Sequence, residues 1–189
     1  MPTVVTHAIA AAALGAGLRR VPRGFWLLTA VCAILPDADV VTYDLGLEYG
    51  HMLGHRGVSH SLVCAVLTGA VMALVLGRGD WRPARGRLFV HFTLATASHG
   101  LLDALVDEGL GVAFFAPFSG ERYFFPWRPL EVATIGGHGF FTTAPMEGGL
   151  RWLTVLWSEF LWVWLPALLV GWVAWRLSSH IQSTPSTDV

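Results

Sequence analysis

This sequence predicts an all-α integral membrane bundle of about five helices with a long ordered external loop, and three observations carry that reading. Of its 189 residues, 54% are hydrophobic and 13% charged, with nine Trp among them, and the mean hydropathy is +0.56. A soluble domain of this size is rarely so apolar, so the bilayer is the expected solvent. Apolar runs of helical length alternate with clusters of Gly, Pro and charge that stop helices. The arginines, finally, concentrate in alternate gaps between those runs. With no repeat of fixed period, residues 1–177 read as a single domain and the polar stretch 178–189 as a disordered tail.

The first segment covers roughly residues 6–18, with Thr6 available as N-cap and Gly15 and Gly17 near its end. No basic residue precedes its Ala-rich run, unlike a secretory signal peptide, so the segment and His7 within it are expected to be retained. The second, residues 24–35, is expected to stop at Pro36. Both are short against the ~20 residues of a spanning helix, which implies little tilt or an end inside the bundle. The third runs over residues 60–76 with Ser59 as its N-cap, and the fourth over residues 88–106. The fifth, residues 152–177, is long and rich in Trp and Leu, the clearest membrane span of the five. Residues 107–151 are rich in Gly, Pro, Phe and Arg, a composition that suits an ordered loop packed over one end of the bundle. Loops of that length in a compact domain are usually functional. Cys32 and Cys64 lie in apolar runs without Cys-x-x-Cys spacing and read as buried thiols.

All twelve basic residues are Arg, set against thirteen acids, which leaves no basic surface of the nucleic-acid-binding kind. Arg19, Arg20 and Arg23 fall between the first two helices, Arg78, Arg82, Arg85 and Arg87 between the third and fourth, and Arg176 near the end of the fifth. If the helices alternate across the membrane, these share one side, which the positive-inside rule makes cytoplasmic. The N-terminus, residues 36–59 and the long loop then face the external or periplasmic side of the plasma membrane.

That topology gathers the chemistry. His7, Asp37, Asp39, His55 and His60 all fall at external helix ends, and His99 and Asp103, spaced i, i+4 on the outer half of the fourth helix, share one face. Neutral imidazole and carboxylate suit Zn²⁺, Mn²⁺ or Fe²⁺, and seven donors exceed the need of one tetrahedral ion. Two ions bridged by an Asp is the natural count, and such a pair activates water and clamps the oxygens of a phosphoryl or acyl displacement. Ionisable groups at membrane depth are costly, which makes a role for them the default. His91, deeper on the fourth helix, reads instead as a hydrogen-bonded bundle residue, and His51 and His138 are left out of the site. Arg56, Arg122 and Arg128 each suit a phosphate or carboxylate, or a pairing with Glu121 or Glu131. Glu159 lies near the outer end of the fifth helix, within reach of an Arg or the metal centre. The aromatics between Phe114 and Trp127 read as an interfacial belt.

The motifs Thr6-His7, Leu35-Pro36-Asp37-Ala38-Asp39, His55-Arg56-Gly57-Val58-Ser59-His60-Ser61, Ser98-His99-Gly100-Leu101-Leu102-Asp103 and Pro117 to Pro129, in that order over about residues 3–170, closely resemble the YdjM-like family of membrane-bound, metal-dependent hydrolases. That family is in turn similar to the all-helical zinc-dependent phospholipase C and single-strand nuclease group, whose members hold up to three zinc ions and cleave phosphodiesters. The resemblance implies a divalent transition metal, zinc first, in one to three copies, with His7, Asp37, His55, His60, His99 and Asp103 as ligands. Two departures stand out: the soluble enzymes use an N-terminal Trp amine that this chain lacks, and Asp107-Glu108 replaces a Thr-Asn pair at the outer rim. The expected activity is hydrolysis of a phosphodiester in a small molecule or a membrane lipid, with Asp39 supporting a ligand or serving as base and with Arg56 and Arg128 steadying developing charge. A metal-binding membrane protein without catalysis, a sensor or a partner of another envelope protein, is the alternative. Transport fits least, since the inner halves of the third and fifth helices carry almost no polar groups.

Overall fold

The structure is a computed structural model and describes residues 1–132 and 149–183. Those residues form five helical rods and no sheet, the bundle that the hydropathy pattern demands. Helix α1 spans Val4–Gly15, α2 Phe25–Ile34, the short α3 Val41–Asp44, α4 Leu62–Leu76, α5 Arg85–Asp103, α6 Gly149–Glu159 and α7 Leu165–Ser183. The chain from Phe25 to Asp44 is one rod, because α2 passes through a 3₁₀ turn, Leu35–Val40, into α3. A five-residue π-helical stretch, Phe160–Trp164, likewise joins α6 to α7. The rods Phe25–Asp44 and Trp152–His180 are each long and apolar enough to cross a membrane, and α1 and α4 are shorter apolar helices.

Helix α5 is the hub, packing against α1, α2 and α4, while α7 covers the other side of α1. Small residues set these distances. Ala11, Ala33 and Ala95, from α1, α2 and α5, are fully buried together and let three backbones approach. On α4, Ala65, Gly69 and Ala73 form the buried stripe. A Cβ on Gly69 would lie 2.0 Å from Thr93 Oγ1 and 2.8 Å from the Phe89 carbonyl, so α4 meets α5 as closely as backbone allows. One larger cluster fills one end of the bundle with Phe25, Cys32, Ala73, Leu88 and Phe92, and another unites Leu102, Val106 and Val163 with loop residue Leu130. Outward faces carry Leu67, Leu74, Leu168 and Trp172, all exposed, as lipid-facing surfaces should.

Several boundaries differ from expectation. Pro36 does not end the second helix. It occupies the first turn of the 3₁₀ segment, and the Ala33 carbonyl three residues before it is taken by His99 Nδ1 instead. Ser61, not Ser59, caps α4, accepting from the Cys64 N–H, because Ser59 is drawn to Asp39. Thr3 rather than Thr6 stands at the start of α1. The first half of the expected tail is helical, since α7 continues to Ser183, and residues 184–189 lie outside those described. Of the expected loop, residues 107–132 and 149–151 are described, the latter as the first turn of α6; two isolated bridges pair Val106 with Leu130 and Val112 with Tyr123.

Candidate metal centre

Four segments bring their polar side chains to one end of the bundle. On α5 the i, i+4 spacing does what the helix period requires, placing His99 and Asp103 on one fully buried face. The 3₁₀ turn after α2 repeats about every three residues. Asp37 and Asp39, two apart, therefore diverge, Asp37 toward His99 and Asp39 toward His55. The loop before α4 supplies His55, Arg56, Ser59 and His60, and α1 supplies His7. Two backbone features fold that loop inward. Arg56 adopts φ of 61°, a left-handed conformation costing about 1–2 kcal/mol in a non-glycine residue, and a Cβ on Gly57 would sit 2.0 Å from the Met52 carbonyl.

Two donor groups share His60. Asp37, His60, His99 and Asp103 each present a ligand atom within 4.8 Å of the others, and Asp39, His55 and His60 do the same. The tautomers follow from the partners. His99 Nδ1 faces the Ala33 carbonyl at 2.7 Å and so must donate, leaving the Nε2 lone pair inward, 3.1 Å from Asp37 Oδ1 and 3.1 Å from His60 Nε2. His60 Nδ1 faces Asp39 Oδ2 at 3.1 Å, leaving its Nε2 directed at His99 and at Asp37 and Asp103, each 3.6 Å away.

With both rings neutral, two imidazole lone pairs and two carboxylates converge. That arrangement attracts a cation or a proton, and Arg56 offsets Asp103. Asp37 Oδ2, Asp103 Oδ1 and both ring nitrogens of His7 are buried without a hydrogen-bond partner, so the residues fit a metal ion. Without one, a proton does the work on His60: burial opposes it, but the surrounding carboxylates of Asp103, Asp37 and Asp39 outweigh burial and hold the pKa of His60 well above its ordinary value. His7 stacks on His99 with ring centroids 3.8 Å apart, and its Nε2 lies 3.8 Å from Asp103 Oδ1.

The surrounding groups hold these donors in place. Asp39 takes the Ser59 hydroxyl, His60 Nδ1 and, at 2.7 Å, His55 Nδ1, so one carboxylate orients two histidines. Arg56 is 1% exposed; its Nε donates to Asp103 Oδ2 at 2.9 Å and its Nη1 to the Glu108 carbonyl. Its guanidinium therefore compensates a carboxylate of the centre rather than facing solvent. Arg122 donates to the carbonyls of Tyr49, His51, His55 and Gly111, pinning the His55 loop beneath the long loop. Arg128 is exposed, donates to the Asp107 carbonyl and lies over the Phe124 ring. His91 bonds Thr29, as a bundle residue should. His51 accepts from the Leu53 N–H, and His138 lies outside the described residues.

Sequence reasoning gave two participants other roles. Ser59 reads as a helix cap, although its position one residue before His60 is the signal for a group beside the centre. Glu159 reaches Thr3 and Thr6 rather than an Arg or a metal ligand.

Comparison with known proteins finds inner membrane proteins. The sequence model of the family described as YdjM inner membrane protein matches residues 1–182. The chain is also 37% identical over 179 residues, 93% of its own length and 99% of the relative's, to inner membrane protein YbcI of Escherichia coli (strain K12). No solved structure matches it.

Proposed function

The chain belongs to the YdjM inner membrane protein family, and on that footing we propose that it is a membrane-bound, metal-dependent hydrolase that cleaves a phosphodiester, of a lipid or a small molecule, at the external face of the plasma membrane. The observation that carries the metal is the convergence of ligand atoms of His99, His60, Asp37 and Asp103 within 4.8 Å of one another, with Asp37 Oδ2 and Asp103 Oδ1 buried and unpartnered. Those four would hold the ion, with His7 completing the set beside Asp103. An ion there would polarise a phosphoryl oxygen and activate water. Hydrolysis is supported by the resemblance of the motifs to a family of membrane-bound, metal-dependent hydrolases and by the place of the centre at one end of the bundle.

The chain's own residues supply the rest. Asp39 fixes the tautomers of His55 and His60, and the Asp39–His55 pair, outside the inner donors, is the group to accept a proton from water. Arg56 neutralises Asp103, and the exposed Arg128 is the guanidinium to meet an anionic substrate. A second reading, metal binding without turnover, is favoured by the near-complete burial of His60, His99 and Asp103. Detergent-purified protein supplied with Zn²⁺ or Mn²⁺ and a panel of phosphodiesters and phospholipids separates the two. Turnover abolished by Asp37→Asn and kept by the exposed-site change Glu121→Gln is the expected result; bound metal with no turnover across the panel would leave the second reading standing.

A further inference from the structure

Glu159 is fully buried in the apolar rod formed by α6 and α7, where an uncompensated carboxylate is costly. Its partners all lie at the start of α1. Oε1 accepts from the Thr3 N–H at 2.5 Å, and Oε2 accepts from the hydroxyls of Thr3 at 2.7 Å and Thr6 at 2.6 Å. Helix starts need such partners, because their first N–H groups have no intrahelical acceptor and lipid offers none. In the common capping box, a Glu at the third helical position reaches back to the N–H of the capping residue. Here Thr3 is the cap, its own side chain makes no cap bond, and the third position is Thr6. The carboxylate that a capping box would place there comes from another helix, 156 residues from Thr3. Its negative charge also suits the positive end of the α1 dipole.

The π-helical stretch explains how one rod delivers two groups to this point. Trp164 Nε1 donates to Thr6 Oγ1 at 2.6 Å, so residues 159 and 164 both reach Thr6. In an α-helix, side chains five residues apart point about 140° from each other. The wider turn at Phe160–Trp164 narrows that angle and turns both toward α1.

His7 follows Thr6 directly, and neither of its ring nitrogens has a hydrogen-bond partner. Its ring is held by its stacking on His99 and by the placement of α1 itself. We propose that Glu159 is a positioning residue of the metal centre: by capping α1 from a second helix it sets the depth and rotation of α1, and hence where His7 stands beside His99 and Asp103. This rests on the metal reading above but not on hydrolysis.

The test uses the full-length protein in detergent, loaded with Co²⁺ and read by equilibrium dialysis and visible absorption well below each variant's Tm. Glu159→Leu keeps side-chain volume but removes every acceptor, and should weaken Co²⁺ binding by roughly tenfold to a hundredfold and alter the spectrum. Glu159→Gln keeps an acceptor for the Thr3 N–H and should retain affinity within about threefold, on the same hydrogen-bond accounting. Thr6→Val removes the hydroxyl that both Glu159 and Trp164 hold, without touching Glu159, should weaken Co²⁺ binding in the same direction, and serves should Glu159→Leu fail to fold. Thr29→Val, which removes a buried hydroxyl elsewhere in the bundle, should change neither readout. Wild-type affinity and spectrum in both Glu159→Leu and Thr6→Val would overturn the proposal, as would an equal loss in Thr29→Val. Wild-type protein that binds no Co²⁺ would instead sink the metal reading, and this proposal with it.

Discussion

Among single side chains, Arg56 and His60 bear the heaviest electrostatic duty. Arg56 is the buried cation against Asp103, so Arg56→Ala leaves a carboxylate uncompensated in the bundle. Breaking a buried pair from one side costs about 3–5 kcal/mol, and a matching fall in stability should appear in detergent melts of metal-free protein, with partial recovery when metal is added. Metal binding should also depend on pH. Because the pKa of His60 is raised in the metal-free centre, the metal must displace a proton from it. Apparent affinity should therefore climb about tenfold per pH unit while His60 is protonated and level off above its raised pKa, and dialysis over a pH series that gave a flat line would contradict this role. These residues divide by how visible they were in sequence. His99 and Asp103 were legible because one helical turn separates them. The partners of Glu159 and Ser59 were not, since they lie 153 and 20 residues away, and no local period encodes such distances.

Among the helices, apolar runs placed all five rods, but their ends were read less well for a physical reason. A cap is chosen by where competing hydrogen bonds go, and those are tertiary. Ser59 and Ser61 are equally good capping residues; Asp39 claims the first, so α4 begins after the second. Pro36 looked like a stop because proline breaks an α-helix, yet it opens a new helical turn. The stripe on α4 was present in sequence, but its meaning required its neighbour. A side chain at Gly69 must push α5 away, since its Cβ would meet the backbone of Phe89 and Thr93 below 3.0 Å. Gly69→Val should cost about 1–3 kcal/mol by overpacking, seen as a lower Tm, whereas Leu67→Val on the exposed face of the same helix should leave Tm nearly unchanged.

For the molecule as a whole, composition carried the fold class, and the arginine pattern carries the proposed orientation. With the Arg19–Arg23 and Arg78–Arg87 turns inside, the centre and its loop face outward. In a background with Cys32 and Cys64 replaced by Ala, a cysteine at exposed Asp44 should react with a membrane-impermeant maleimide in intact cells once the outer membrane is permeabilised, and one at exposed Arg82 only after the inner membrane is broken. The reverse pattern would put the centre inside. Function in either reading depends first on the cation implied by His60, His99, Asp37 and Asp103. The most direct measurement is therefore elemental analysis of protein purified without chelator, beside a His99→Ala, Asp37→Asn double variant. At least one transition-metal ion per wild-type chain, lost in the double variant, is the expected result; metal-free wild-type protein that takes up no Zn²⁺, Mn²⁺ or Fe²⁺ on dialysis would contradict the account.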